Sequence, residues 1–146
     1  VSKEYPEVAT ASEHIDALSA SFVTRPERYD VVVASNLFGD ILSDIGAGIM
    51  GSIGIAPSAN LNINGKYPSM FEPVHGSAPD IVGRGLANPI GQIWTAKMLL
   101  DHFGYEDLGS RLLKAIEDTL REGIMTPDIG GNASTVEVTA SILEKL

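Results

Sequence analysis

Apolar residues recur at helical spacing along much of the chain. A first stripe stops before Pro26 and predicts a helix of about three turns; it consists of Ile15, Leu18 and Phe22. A second predicts a helix that starts at Gly39 and is ended by the glycines and proline of residues 51–57; it consists of Ile41, Leu42, Ile45 and Ile49. Two further amphipathic helices are predicted over residues 89–103 and 108–122. Ser134 and Glu137 form a capping box that opens a last helix.

Short apolar runs between these helices predict strands. Residues 29–34 have the β-branched composition of a strand buried on both faces, and residues 70–74 predict a brief strand that a proline stops. Residues 55–69 are rich in Asn, Ser, Gly and Pro and are predicted to be a loop. Strands that alternate with helices indicate an α/β fold. So few strands suggest a piece of a larger protein, and residues 1–6 read either as the end of a helix or as a trimmed terminus.

Composition narrows the function classes. The chain has 146 residues, no cysteine and a formal net charge of −9, from 10 basic and 19 acidic side chains. Negative charge repels phosphate backbones and anionic lipid, which argues against nucleic-acid and membrane partners. Without cysteine, disulfides, thiolate metal sites and a cysteine nucleophile are excluded. No run approaches the roughly 20 apolar residues that span a bilayer, and no export signal is visible, so we expect a cytoplasmic protein.

Two aspartates on the second predicted helix are candidate metal ligands. Asp40 and Asp44 lie one turn apart and share a face, where they repel each other unless a cation lies between them. Carboxylate oxygens suit Mg²⁺ or Mn²⁺. A solvated acidic face is the commoner explanation of an isolated pair. Asp16, on the preceding helix, would need the fold or a second subunit to bring it near.

Two segments are candidates for nucleotide binding. Residues 46–51 match Gly-x-Gly-x-x-Gly, but a predicted helix precedes them and a loop follows, the reverse of the dinucleotide-binding context. We interpret these glycines as close-packing or hinge positions. Residues 71–81 are the better candidate, because they follow a strand end and offer the N–H groups of residues 76–78 to a phosphate.

Polar side chains near this loop fit the same interpretation. The carboxylate of Asp80 could accept hydrogen bonds from both ribose hydroxyls while repelling a 2′-phosphate, and the Asn88 amide could read an adenine edge. The alternative is that His75 and Asn88 satisfy loop backbone and that Asp80 forms an Asx turn. From the residues alone both interpretations stay open.

Three strings carry a family resemblance over essentially the whole chain. They are DVVVASNLFGDILSD (residues 30–44), FEPVHGSAPD (71–80) and ANP (87–89). These strings resemble the β-decarboxylating dehydrogenases, a family that includes isocitrate, 3-isopropylmalate, homoisocitrate and tartrate/D-malate dehydrogenases. Residues 34–37, 55–62 and 89–94 look most similar to the tartrate/D-malate members. Ile45-Gly46 stands where the isopropylmalate enzymes typically carry Glu-Ala.

The resemblance implies an incomplete two-domain α/β fold of the isocitrate/isopropylmalate dehydrogenase type. Residues 1–50 would belong to the dimerisation and metal-binding domain and residues 51–146 to the larger cofactor domain. The implied metal ligands are Asp40 and Asp44 of one subunit and Asp16 across the interface of a homodimer, where Asp16 also lies near the substrate. Because Asp80-Ile81 stands where NADP-dependent relatives have basic or aromatic residues, the implied cofactor is NAD. The implied cofactor-binding residues are Glu72, His75, Gly76, Ser77, Ala78, Asp80, Ile81 and Asn88.

The resemblance also implies a reaction. A 2-hydroxy diacid such as tartrate or D-malate is oxidised by NAD with Mn²⁺ or Mg²⁺ and loses CO₂. The family's catalytic lysine and tyrosine and its substrate-binding arginines lie upstream of Val1, so we expect the isolated chain to be inactive. Two alternatives stay open. One is 3-isopropylmalate dehydrogenase, and the other is a short non-catalytic binding protein of the same fold, which the exposed edges of a half-sheet disfavour.

Overall fold

Five helices and one two-stranded sheet make up residues 3–146, the part of the chain that this computed structural model describes. The helices are α1 (Ile15–Thr24), α2 (Asn36–Met50), α3 (Ile90–His102), α4 (Glu106–Arg121) and α5 (Thr135–Glu144). The strands are β1 (Pro57–Asn60) and β2 (Met70–Pro73). Two compact units divide between Gly46 and Ala47. The domain boundary after residue 50 concerns the complete protein and stays a prediction.

The first unit contains α1 and most of α2. The predicted helix before Pro26 is confirmed as α1, and its Phe22 ring lies 5.8 Å from the ring of Tyr29. A Cβ built on Gly46 would lie 3.4 Å from that Phe22 ring, which agrees with the close-packing role expected for this glycine. Residues 3–6 form turns rather than the end of a helix, and Val1 and Ser2 lie outside the described residues.

Two sequence predictions in this unit are wrong. Residues 30–35 form no strand, and Val31 and Val33 are 83% and 94% exposed. A β-branched run becomes a buried strand only when neighbouring strands pair with it, and none of the described residues does so. Helix α2 starts at Asn36, three residues before the predicted start at Gly39. It continues to Met50, so a helix does precede the glycine motif's last residue, as predicted.

In the second unit, β1 and β2 form an antiparallel pair with Ser58 opposite Glu72. The prediction for residues 70–74 is confirmed as β2, but β1 lies inside the predicted loop. The sequence of β1, Pro-Ser-Ala-Asn, has weak strand propensity, so its conformation comes from pairing with β2 rather than from its own residues.

The core of the second unit lies between α3, α4 and α5. It consists of Ile90, Leu112, Ala115, Ile116, Val138 and Ile142, all at most 8% exposed. Helix α3 packs on one side against α4 and on the other against the two strands. The predicted helices over residues 89–103 and 108–122 are confirmed as α3 and α4. The capping box is confirmed as well, because Ser134 and Glu137 exchange hydrogen bonds at the start of α5. Among residues 3–146, no helix is long and apolar enough to cross a membrane.

Candidate cofactor and metal sites

A cavity of about 550 Å³ opens in the second unit between three loops and the start of α5. Five aliphatic side chains line it: Ile53, Ile81, Val82, Leu86 and Val136. Polar groups come from Ser52, His75, Ser77, Asn88, Asp128 and Thr135. An apolar enclosure with a few placed polar groups is the usual form of a small-molecule site, and these walls suit a flat heterocycle.

Three polar side chains form a hydrogen-bonded cluster in this cavity, which we call the Ser52–Asn88–Asp128 cluster. The Ser52 hydroxyl donates to Asp128 Oδ2 at 2.5 Å and accepts from the Gly54 N–H at 2.9 Å. Asn88 is buried; its Nδ2 donates to the same Asp128 oxygen at 3.0 Å, and its Oδ1 accepts from the Ile90 N–H at 3.0 Å. The cluster thus connects the segment after α2, the loop before α3 and the loop before α5.

The cluster keeps Asp128 ionised. Partial burial raises the pKa of this carboxyl, but the hydrogen bonds from Ser52 and Asn88 outweigh that effect, and the pKa lies below its usual value. Asp128 is therefore a carboxylate at neutral pH, able only to accept hydrogen bonds.

The loop after β2 presents unpaired backbone donors. The N–H groups of Gly76, Ser77 and Ala78 donate to no acceptor in residues 3–146. Ala78 has φ 42° and ψ 63°, in the left-handed region that non-glycine residues rarely adopt. Strain of this kind is kept where the surroundings require one backbone conformation, and it often accompanies function. The His75 ring lies at the same loop, with Nδ1 3.0 Å from the Gly76 carbonyl oxygen. Because a carbonyl only accepts, Nδ1 carries the proton in this contact.

The opposite wall is attached to the start of α5. The Thr135 N–H donates to the Gly85 carbonyl at 2.9 Å, and its hydroxyl donates to the Ala87 carbonyl at 2.5 Å. The side chain of Val136 follows on the cavity wall and is 73% exposed. These bonds hold residues 85–87 in place, so the wall is formed before any ligand enters.

Most of the predicted cofactor residues meet at this cavity. Six of the eight line it: His75, Gly76, Ser77, Ala78, Ile81 and Asn88. The other two do not: Glu72 is exposed on β2, and Asp80 is exposed in the short 3-10 turn that ends at Ile81. Their roles in binding stay predictions. The open question about Asn88 has a two-part answer, because its amide does satisfy backbone at Ile90 and also faces the cavity.

The sequence analysis missed Ser52, Asp128 and Thr135. Asp128 lies in a Pro-Asp-Ile-Gly stretch, which is typical of an ordinary turn. Turn composition carries no information about which distant segment the carboxylate meets, and Asn88 lies 40 positions earlier in the sequence. Nothing in the local pattern would have revealed these residues.

The predicted metal ligands all lie in the first unit and are exposed. Asp40 and Asp44 are one turn apart on α2, and Asp16 is in the first turn of α1, where its Oδ1 accepts from the Ala17 N–H at 2.8 Å. Among residues 3–146, no group of three or more acidic, histidine or cysteine side chains is close enough to hold a metal ion. One subunit therefore does not assemble the three-aspartate set, which was predicted to need a second subunit.

Comparison with known proteins identifies the family. Residues 1–145 match the isocitrate/isopropylmalate dehydrogenase family. A probable tartrate dehydrogenase/decarboxylase of Bacillus subtilis is 66% identical over 143 residues, which are 98% of this chain and 40% of that protein. The D-malate dehydrogenase (decarboxylating) of Escherichia coli is 53% identical over 147 residues, covering 97% of this chain and 41% of that protein.

A solved structure agrees with these relatives. Isocitrate dehydrogenase from Methylococcus capsulatus is 39% identical and matches with a TM-score of 0.91, covering 99% of this chain and 42% of that one. The predicted fold class and the resemblance to the β-decarboxylating dehydrogenases are thereby confirmed. The chain spans about 40% of the length of the curated relatives that it matches. The chain belongs to the isocitrate/isopropylmalate dehydrogenase family.

Proposed function

We propose that this chain supplies the cofactor-binding and metal-binding residues of a cytoplasmic, NAD-dependent decarboxylating dehydrogenase for tartrate or D-malate, with Mn²⁺ or Mg²⁺ at a site shared across a homodimer. The names of the Bacillus subtilis and Escherichia coli relatives support the reaction and the substrate class. The observation that carries the proposal is the cavity, because six residues of the family's cofactor motif line it together.

The cavity chemistry fits a dinucleotide. The aliphatic walls would hold the adenine ring, and Asn88 would contact its edge. The three unpaired N–H groups of residues 76–78 would bind a phosphate, because backbone donors without partners attract anions. Asp80 lies one residue from the wall residue Ile81, where its carboxylate would accept from ribose hydroxyls and repel a 2′-phosphate. This repulsion is the reason to propose NAD rather than NADP.

The chemistry of the donor set fits a hard divalent cation. Asp40 and Asp44 would bind the ion from one subunit and Asp16 of the partner subunit from the other, all through carboxylate oxygens. When bound, the ion lowers the pKa of the substrate's C2 hydroxyl, and the nicotinamide accepts the hydride. The aspartates hold the substrate's oxygen end beside the cofactor, and their three negative charges offset the charge of the ion.

The nucleotide half is tested by titrating the chain with NAD⁺ and NADP⁺ in a calorimeter. We expect NAD⁺ to bind more tightly, and we expect Asp80→Asn to narrow the difference because the repulsion of the 2′-phosphate is removed. Asp107→Asn is the matched control, since Asp107 is also exposed but begins α4 outside the cavity. Equal affinity for both nucleotides in the unaltered chain would contradict the proposal.

The metal half is tested by mixing variants of the complete protein. Asp16→Asn and Asp40→Asn should each abolish Mn²⁺ binding measured by electron paramagnetic resonance. In a mixed dimer of the two, one site receives both intact partners and the other neither, so Mn²⁺ binding should reappear. If Asp16 acts within its own subunit, the mixture stays empty and the shared-site proposal is wrong.

Turnover by the complete protein separates the substrates. We expect NADH formation with D-malate or tartrate and Mn²⁺. Preferential turnover of 3-isopropylmalate would move the protein to the neighbouring activity of the same family. NADH formation by the 146-residue chain alone would contradict the expectation that it lacks the proton-transfer residues.

A further inference from the structure

Asn88 faces two groups of opposite hydrogen-bonding character. The Ile90 N–H only donates, and it lies 3.0 Å from the oxygen of the Asn88 amide. The Asp128 carboxylate only accepts, and it lies 3.0 Å from the nitrogen of the same amide. Rotating the amide by half a turn would place donor against donor and acceptor against acceptor. The two neighbours therefore permit one orientation of the amide.

Asp128 is itself held in position. The Ser52 hydroxyl donates to the same carboxylate oxygen and accepts from the Gly54 N–H, so it bonds on both sides. A Cβ on Gly54 would lie 2.9 Å from both Asp128 Oδ2 and Asn88 Cβ, so the backbone lies directly against the cluster. Neither Asp128 nor Ser52 belongs to the cofactor residues that the family motif predicts.

We propose that Asp128, supported by Ser52, is a positioning residue that locks the Asn88 amide in the orientation that distinguishes adenine from hypoxanthine. In the locked orientation, Asn88 has one N–H and one oxygen lone pair left for a ligand. Adenine offers an amino donor beside a ring-nitrogen acceptor, which matches that pair. Hypoxanthine has a carbonyl in place of the amino group, so one of the two contacts is lost. This inference rests on the proposed nucleotide function of the cavity.

The first test uses AMP and IMP as probes of the chain in a calorimeter. The unaltered chain should prefer AMP by about tenfold, the effect of one lost hydrogen bond in a partly buried site. Asp128→Ala should bring the preference close to one. Asp128→Asn keeps an oxygen acceptor of similar size and should restore most of it. Asp107→Ala should behave as the unaltered chain.

The second test needs no ligand. In a ¹⁵N–¹H spectrum, the two Nδ2 protons of Asn88 should differ in exchange rate, because one donates to Asp128, and Asp128→Ala should remove the difference. Ser52→Ala should give an intermediate result, and it remains informative if Asp128→Ala fails to fold. Unchanged Asn88 resonances in Asp128→Ala would overturn the lock. Failure of the unaltered chain to bind AMP, with the resonances changing as expected, would instead overturn the nucleotide function on which the adenine preference rests.

Discussion

Gly54 is the position where one added methyl group tests how tightly the cluster is built. A Cβ there would lie 2.9 Å from Asn88 Cβ and from Asp128 Oδ2, and 3.2 Å from Ser52 Oγ. Ordinary contact needs about 3.4 Å or more, so Gly54→Ala forces the cluster to open by roughly 0.5 Å. The Ser52–Asp128 and Asn88–Asp128 hydrogen bonds, at 2.5 and 3.0 Å, then lengthen or break.

The expected cost follows from three effects. Overpacking of a filled site costs about 1–3 kcal/mol. Weakening two hydrogen bonds costs about 1 kcal/mol more. The smaller conformational freedom of alanine in the unfolded chain returns about 0.4–1 kcal/mol. We therefore expect the free energy of unfolding to fall by about 1–3 kcal/mol, together with a loss of nucleotide affinity.

The assay is urea unfolding of the chain followed by circular dichroism, with nucleotide binding measured in parallel. Gly48→Ala is the matched control, because nothing lies within 4 Å of a Cβ at this helical position. There we expect a gain of up to about 1 kcal/mol, since glycine weakens a helix. If Gly54→Ala unfolds within about 0.5 kcal/mol of the unaltered chain, the close packing of the cluster is wrong.

Three further predictions concern the core, the α5 cap and the loop after β2. Ile142 is 1% exposed and its neighbour Leu143 is 64% exposed. Ile142→Ala should therefore cost about 2–5 kcal/mol in urea unfolding and Leu143→Ala under about 0.5, and equal costs would contradict the core assignment. Hydrogen bonds from the Ser134 N–H and hydroxyl, at 2.7 and 2.8 Å, hold the pKa of Glu137 below its usual value. The unfolded chain thus takes up this proton at higher pH than the folded chain does, and stability from the cap is lost as pH falls through the folded pKa. Glu137→Gln should flatten that part of the pH–stability profile, and an unchanged slope would refute the cap's contribution. Ala78→Gly relieves the left-handed strain at φ 42° but frees the unfolded chain, so unfolding should change by less than about 1 kcal/mol. NAD⁺ affinity should still fall, because the loop loses its preset conformation, and undiminished affinity would show that the strain has no role in binding.

The cofactor loop could be predicted because its residues form one continuous string. His75, Gly76, Ser77, Ala78 and Ile81 lie within seven positions, so the chain alone keeps them together, and the structure brings Asn88 to the same cavity. The helices were predictable for a similar reason, since α1, α3 and α4 carry their apolar stripes within their own residues. A periodic stripe is a local property, and burial of one helix face requires little knowledge of what covers it.

The sequence by itself determined the family, the helices and the capping box of α5. Tertiary structure alone decided three other features: the strand conformation of β1, the exposure of residues 31 and 33, and the contact of Ser52 and Asn88 with Asp128. A strand exists only through its partner, so residues 57–60 became one and residues 30–34 did not. The hydrogen-bonded cluster joins loops that are distant in the sequence. Their meeting is set by how α3 and α5 pack around the common core, which no local pattern encodes.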